Sequence, residues 1–375
     1  MTSTQLPDEI SLLSPPQDAT TTFGQFLEEK WSAVCRGLGT DAEETESVLR
    51  DLREALHPWG GRPMGTRCDP PSFVSADGFP AELSVSWKAG RPEVRVLFES
   101  LGSDGTPLGC QEAGRKLTRR LGGRPGTDIT RCLSVEDLFL TSDPDRYRAT
   151  IWHSLAWRPG ERPHYKVYLN PQVHGLDRAY EVMAHAMHRL GLAQAWEPVA
   201  RRSEELERRG HELELMALDL DGGGASRVKV YFRHRPMPME ELDTVAAMAH
   251  RHDPVRAARA AAVIYGRDTG VVRNEPMTCL AFREGVSGPE EANVYLRLPD
   301  NTRSDAEASV RVARLMELEG IDPGPHAEIL RQLTAEQPKD ARQVQELCSY
   351  RTISPDRPAD IGLYLRFPAY ADPVL

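Results

Sequence analysis

Four basic residues and four tyrosines recur at fixed offsets in short β-rich strings of this chain: Arg95, Lys166, Arg227 and Lys229, with Tyr168, Tyr231, Tyr295 and Tyr364. Convergent guanidinium and ammonium groups present many N–H donors to an anion and suit a diphosphate. Tyrosine rings attract a cation with their π faces and wall it from water. Together the two sets point to the chemistry of a departing diphosphate and an allylic carbocation. No Asp-Asp pair occurs in the chain, so the aspartate-rich device by which terpene synthases hold diphosphate through magnesium is missing, and side-chain cations must stand in for metal. No other metal ligand set is expected. The six cysteines include no C-x-x-C pair, and the close histidine pairs His185/His188 and His250/His252 lack the H-E-x-x-H carboxylate.

These residues sit in a repeat. The strings Val94–Glu99, Tyr165–Asn170, Val228–Arg233, Ala292–Arg297 and Ile361–Arg366 are spaced 63 to 71 residues apart, and each follows another candidate strand: 82–88, 148–157, 212–220, 277–284 and 346–353. Turn chemistry joins each pair, as in Lys88-Ala-Gly-Arg-Pro92 and Asp221-Gly-Gly-Gly224, which predicts five hairpins. Between hairpins the apolar period is helical, over 176–190, 192–209, 238–250, 254–266, 304–319 and 323–335. Five ααββ units predict an α+β fold: a ten-stranded antiparallel β-barrel inside a ring of helices, since a repeated hairpin sheet must close or leave edges exposed. Strand alternation separates an apolar set (Val94, Val96, Phe98, Val167, Leu169, Val228, Val230, Phe232, Val294, Leu296, Leu363, Leu365) from one rich in Arg, Lys and Tyr. The apolar set should face helices. The polar set should line a solvated lumen, because such groups cost too much desolvation to fill an ordinary core. The alternative, an open sheet with one wet face, gives no reason for a tyrosine beside a cation in four units.

The 375 residues, 40% hydrophobic and 27% charged, describe a soluble globular chain, and a net charge of −10 argues against nucleic-acid binding. The basic cluster Arg115, Lys116, Arg119, Arg120 and Arg124 fits one face of a helix. No apolar run approaches the roughly 20 residues of a membrane helix, and Asp8 and Glu9 stand where a secretory signal would be basic. The expected address is the cytoplasm. Residues 1–20 are expected to be a flexible segment and 21–375 a single barrel domain, as a monomer or homodimer.

R-x-K-x-Y at Arg227, Lys229 and Tyr231, K-x-Y at Lys166 and Tyr168, and P-x-E-L-S at Pro80 to Ser84 resemble the aromatic prenyltransferases of the dimethylallyltryptophan synthase type, over about residues 75–367. The resemblance implies the ABBA or PT barrel and an indole prenyltransferase of bacterial kind, transferring dimethylallyl from dimethylallyl diphosphate to L-tryptophan with no cofactor. It implies that Glu82 accepts the indole N–H, that Arg95, Lys166, Arg227, Lys229 and Asn293 bind diphosphate, and that Tyr168, Tyr231, Tyr295 and Tyr364 form the shield. Asn293 stands where the family often has glutamine, and Asp360 where a further tyrosine is usual. His153 is near a lysine position linked to proton handling and is a candidate base, or else a structural histidine beside Trp152. Met277 is near the position that limits prenyl length, or else simple core. An indole dipeptide or indolactam acceptor, a non-catalytic barrel binding a phosphorylated metabolite, and a prenyl diphosphate hydrolase are the alternatives.

Overall fold

The structure, a computed structural model, describes residues 20–143, 151–222, 226–266, 270–299, 301–334, 344–367 and 369–370. The expectations for residues 1–19, for the start of the second hairpin at 148–150 and for Gly223 and Gly224 lie outside the described residues. The first unit comprises α1 (Phe23–Gly37), α2 (Ala42–Leu56), β1 (Ala81–Lys88) and β2 (Arg91–Glu99). The second comprises α3 (Pro107–Leu121), α4 (Thr130–Leu133), β3 (Ile151–Trp157) and β4 (His164–Leu169). The third has α5 (Ala179–Arg189), α6 (Ala193–Ala200), α7 (Ser203–Arg208), β5 (His211–Asp219) and β6 (Val228–His234). In the fourth, a two-residue ribbon of β7 (Met237–Pro238) with β8 (Val271–Val272) flanks α8 (Asp243–Ala246) and α9 (Pro254–Tyr265), followed by β9 (Met277–Phe282) and β10 (Glu291–Arg297). The fifth is α10 (Asp305–Leu318), α11 (Gly324–Leu333), β11 (Gln345–Arg351) and β12 (Asp360–Leu365).

Local chemistry starts and stops these elements. Thr22 and Gln25 form a reciprocal capping box on α1, Asp41 accepts the Glu44 N–H at 2.8 Å to cap α2, and Thr106 caps α3 ahead of Pro107. Lys88 and Arg91 pair across a two-residue turn whose Ala89 (φ 51°) and Gly90 (φ 76°) are both left-handed, which matches the strand twist and fixes the first hairpin register.

Ten strands close into one antiparallel barrel in the order β1-β12-β11-β10-β9-β6-β5-β4-β3-β2. The seam is β1 with β12, where Leu83 lies opposite Leu365 and Trp87 opposite Ile361. The helices close the same way, α1 packing on α11. Their approach requires Gly37, where a Cβ would lie 2.6 Å from the Ile329 Cα. The apolar strand set faces outward into this annulus: Val94, Val96, Phe98, Val167, Leu169, Val228, Val230 and Phe232 are fully buried there with Trp31, Val34 and Leu52 of the helices. Each fully buried Val, Leu or Phe stabilises the fold by roughly 1.5–3 kcal/mol. A separate cluster, made by Trp152, Tyr168, Leu215, Tyr231, Tyr295, Leu347 and Tyr364, lies inside the barrel.

Arg115 and Arg119 of the basic cluster pair with Glu136, Arg124 with Asp51, and Arg120 donates to the carbonyls of Glu54 and His57 at the end of α2. These cations join helices to one another. All six cysteines are free and buried.

Candidate active site

Alternation carries the polar set inward, and the lumen holds two chambers. The one at the hairpin-turn end is small, about 30 Å³, and is lined by Lys88, Arg95, Lys166, Arg227, Lys229 and Arg351 with Ser86, Asn293, Ser349 and Asp360. Gly362 forms part of its wall, where a Cβ would meet Ser349 Oγ at 2.5 Å, so only glycine leaves that space open. The other chamber, about 430 Å³, opens at the opposite end and is lined by Glu82, Leu97, Trp152, Met277 and the tyrosines, with Phe73 to Ala76 at its rim.

Between the chambers runs an aromatic belt. Ring centroids are 6.1 Å apart for Tyr168–Tyr231, 6.0 Å for Tyr231–Tyr295 and 5.5 Å for Tyr295–Tyr364, all tilted or edge-on. Arg95, Tyr295 and Tyr364 line both chambers. The Arg95 guanidinium lies 5.1 Å from the centre of the Tyr364 ring and its Nε donates to Ser84 Oγ at 3.1 Å. A cation formed at this belt is within reach of π faces and of the anion grip together.

The cationic chamber is partly neutralised from behind. Asp219 pairs with Lys166 and, at 3.3 Å, with Arg227. Glu291 pairs with Arg227 at 3.4 Å and with Arg351 at 2.5 Å, Asp360 pairs with Arg351, and Glu93 with Lys88. Desolvation opposes ionisation of Asp219, but Lys166, Arg227 and Lys229 outweigh it and hold the carboxyl well below the usual range. Arg95 and Lys229 have no carboxylate partner among the described residues, so the Arg95 charge is uncompensated and the Lys229 ammonium is disfavoured until an anion arrives. Burial, reinforced by Lys166 and Arg227, pushes Lys229 well below the usual lysine range. An arriving anion reverses that imbalance. Asn293 Oδ1 is buried without a hydrogen-bond partner among the described residues, which leaves the amide free to turn its NH₂ to the same anion.

Glu82 projects into the larger chamber and has no ion pair among the described residues. Desolvation raises its carboxyl to about 7, against the opposing pull of Arg95. A base tuned to neutrality beside an aromatic belt is equipped to receive a proton.

His153 requires a correction. It pairs with Phe98 and Val167, both outward residues, so its ring lies behind the barrel wall. There Nε2 is 2.8 Å from Thr118 Oγ1 of α3, the ring stacks on Phe98, and burial pushes its pKa down to about 3. It cannot touch a substrate in the lumen. Trp152, its neighbour, is the inward residue and completes the belt. Met277 lines the larger chamber beside the belt. Asp360, in place of a tyrosine, joins the Arg351 pair. Arg351 and Lys88 escaped the sequence reading: each lies two residues beyond an inward serine, Ser349 and Ser86, and that parity was the available signal.

A barrel of this kind, ringed by helices and divided between an anion grip and an aromatic chamber, defines the aromatic prenyltransferase class. The chain matches the tryptophan dimethylallyltransferase family model over residues 38–265 and belongs to that family. The 6-dimethylallyltryptophan synthase from Micromonospora olivasterospora, solved with DMASPP and Trp, is similar with 29% identity and a TM-score of 0.83, over 93% of this chain and 98% of that one. The 5-dimethylallyltryptophan synthase from Streptomyces coelicolor, also solved with DMASPP and Trp, has 26% identity and a TM-score of 0.83, over 96% and 99%. Prenyltransferase PriB, solved with L-tryptophan and dimethylallyl thiolodiphosphate, has 27% identity and a TM-score of 0.81, over 93% and 97%. These matches extend beyond the 75–367 of the sequence resemblance, because the first unit's helices α1 and α2 belong to the same barrel.

Proposed function

We propose that the protein moves the dimethylallyl group of dimethylallyl diphosphate to a ring carbon of the indole of L-tryptophan, without a divalent metal, as one unit over residues 21–375. The observation that carries this reading is the tyrosine belt spanned by Arg95, with a cationic chamber on one side and a carboxyl-bearing chamber on the other. The relatives solved with tryptophan and with DMASPP or dimethylallyl thiolodiphosphate support it.

Dimethylallyl diphosphate places its phosphates among Arg95, Lys166, Arg227, Lys229 and Asn293 and its tail against Tyr168, Tyr231, Tyr295 and Tyr364. The C1–O bond breaks with its electron pair leaving on the diphosphate, where fixed cations stabilise the developing charge. The allylic cation rests inside the belt, screened from water that would quench it to an alcohol. The indole, its N–H donated to Glu82, attacks through a ring carbon, and the new C–C bond leaves an arenium ion. Its proton passes to the Glu82 carboxylate, raised enough in basicity to accept it. Met277 limits the length of the prenyl tail.

The test is incubation with dimethylallyl diphosphate and L-tryptophan, with and without a chelator, followed by mass spectrometry and proton NMR. The expected product carries one added prenyl unit on a ring carbon in both conditions. Absence of prenylated tryptophan overturns the reading, and loss of turnover on chelation that magnesium restores overturns its metal-free part.

A further inference from the structure

The rim of the larger chamber carries charges that neither the diphosphate grip nor the belt uses. Around the wall from Glu82 on β1 come Arg366 just past β12, Glu346 on β11, Arg297 on β10, Glu275 just before β9, Arg233 on β6 and Glu214 on β5. The sign alternates at every step. Two of the acids owe their place to the backbone: the β5 register shifts between Leu213 and Leu215, and the β11 register between Gln345 and Leu347. Glu214 and Glu346 are the extra residues, and a bulge re-aims a side chain that strict alternation would send elsewhere.

Most of this collar is satisfied internally. Arg233 pairs with Glu214 and, at 3.6 Å, with Glu275. Arg297 meets Glu346 at 2.5 Å and donates from Nε to the Glu275 carbonyl at 3.1 Å. Arg366 differs. Its Nε is buried without a hydrogen-bond partner among the described residues, and its ion-pair contact, to Glu346 Oε2, is long at 3.7 Å. Glu346 Oε2 itself accepts no hydrogen bond from the described residues. An unused guanidinium donor therefore stands beside an unused carboxylate oxygen, the complement of a carboxylate and an ammonium group held a few ångströms apart.

Their position fits the acceptor. Leu83 lies opposite Leu365, so Glu82 and Arg366 occupy the next step of the adjoining strands, and Glu346 is one strand further, about 4.8 Å along the wall. An indole held by its N–H at Glu82 has its amino-acid end within that span. We infer that Arg366 holds the carboxylate of an amino-acid acceptor and Glu346 Oε2 its ammonium group, so that this pair selects a free amino acid over a bare indole. The inference rests on the tryptophan-prenylating function proposed above.

The test compares L-tryptophan, tryptamine and 3-methylindole as acceptors at saturating dimethylallyl diphosphate, in the unaltered protein and in Arg366→Met, Arg366→Lys and Glu346→Gln. Arg366→Met should raise KM for L-tryptophan by at least about 10-fold, the effect of losing a charge-assisted hydrogen bond, with kcat nearly unchanged. Tryptamine and 3-methylindole should keep their kcat/KM within about threefold, and Arg366→Lys should recover part of the tryptophan loss. Glu346→Gln should weaken L-tryptophan and tryptamine while sparing 3-methylindole. Equal losses for all three acceptors in Arg366→Met, or no loss for L-tryptophan, overturn the assignment. Should Arg366→Met fail to fold, the unaltered protein decides: a preference for L-tryptophan over 3-methylindole below about 10-fold in kcat/KM overturns it. If the unaltered protein prenylates no indole at all, the proposed function fails instead.

Discussion

Replacing Glu82 by glutamine separates what this carboxyl does from what it costs. Desolvation raises it from an ordinary 4.5 to about 7, so between those pH values the folded protein retains a proton that the unfolded chain has released. Stability therefore falls as pH rises through this window, by about 1.36 kcal/mol per unit, with a ceiling of about 3 kcal/mol above pH 7. Water in the open chamber screens the group, which reduces the expected penalty to roughly 1–2 kcal/mol. Glu82→Gln keeps the shape and never ionises. Urea unfolding at pH 8 should show the variant more stable than the parent by that amount, and at pH 4.5 the two should coincide. Turnover should move the other way: prenylation by Glu82→Gln should drop about 10²- to 10⁴-fold, as for loss of a general base, and the parent's kcat/KM should climb with pH through about 7. A variant no more stable than its parent at pH 8, or one that keeps its turnover, would refute the argument that this carboxyl is held against its solvation for chemistry.

Diphosphate binding should take up a proton at Lys229, because the anion reverses the burial and like-charge repulsion that lower it. Affinity should fall as pH rises, and calorimetry in buffers of different ionisation heat should reveal the uptake; identical heats refute it. His153→Gln should lower the stability by about 1–3 kcal/mol through its buried contact with Thr118 while kcat stays within about threefold, and an altered pH–rate profile would contradict the outward placement. Tyr231→Leu should slow prenylation roughly 3- to 30-fold, the loss of one cation–π wall, and raise the fraction of prenyl alcohol, whereas Tyr231→Phe should do neither. Met277→Ala should admit geranyl diphosphate, scored by the mass of the product, and unchanged donor preference would assign Met277 to packing.

How much was legible can be seen strand by strand. In β2, β4, β6, β10 and β12 one face is apolar and the other carries Arg, Lys, Asn or Tyr, so the contrast between faces gives both the barrel and its lining. In β3 the signal is weak: Ile151 to Trp157 are all buried, since one face meets α3 and the other the belt, and only the small Ser154 and Ala156 beside Trp152, against Ile151, Leu155 and Trp157 beside His153, tell the two faces apart. In β5 and β11 alternation is broken by one residue each, so Glu214 and Glu346 could not be placed by counting. The acids behind the cationic chamber were invisible for another reason. Asp219 and Glu291 lie next to turns, and their pairing with Lys166 and Arg351 depends on which strands become neighbours.

By itself the order of residues determined the repeat, the hairpins and the side of each well-contrasted strand that bears cations and phenols, because the direction of a side chain in extended backbone depends only on its own position. Which end of the lumen each charge occupies, which cations remain uncompensated and how far Glu82 is stripped of water were decided only when ten strands closed on one another, for these depend on distances between segments far apart in the chain.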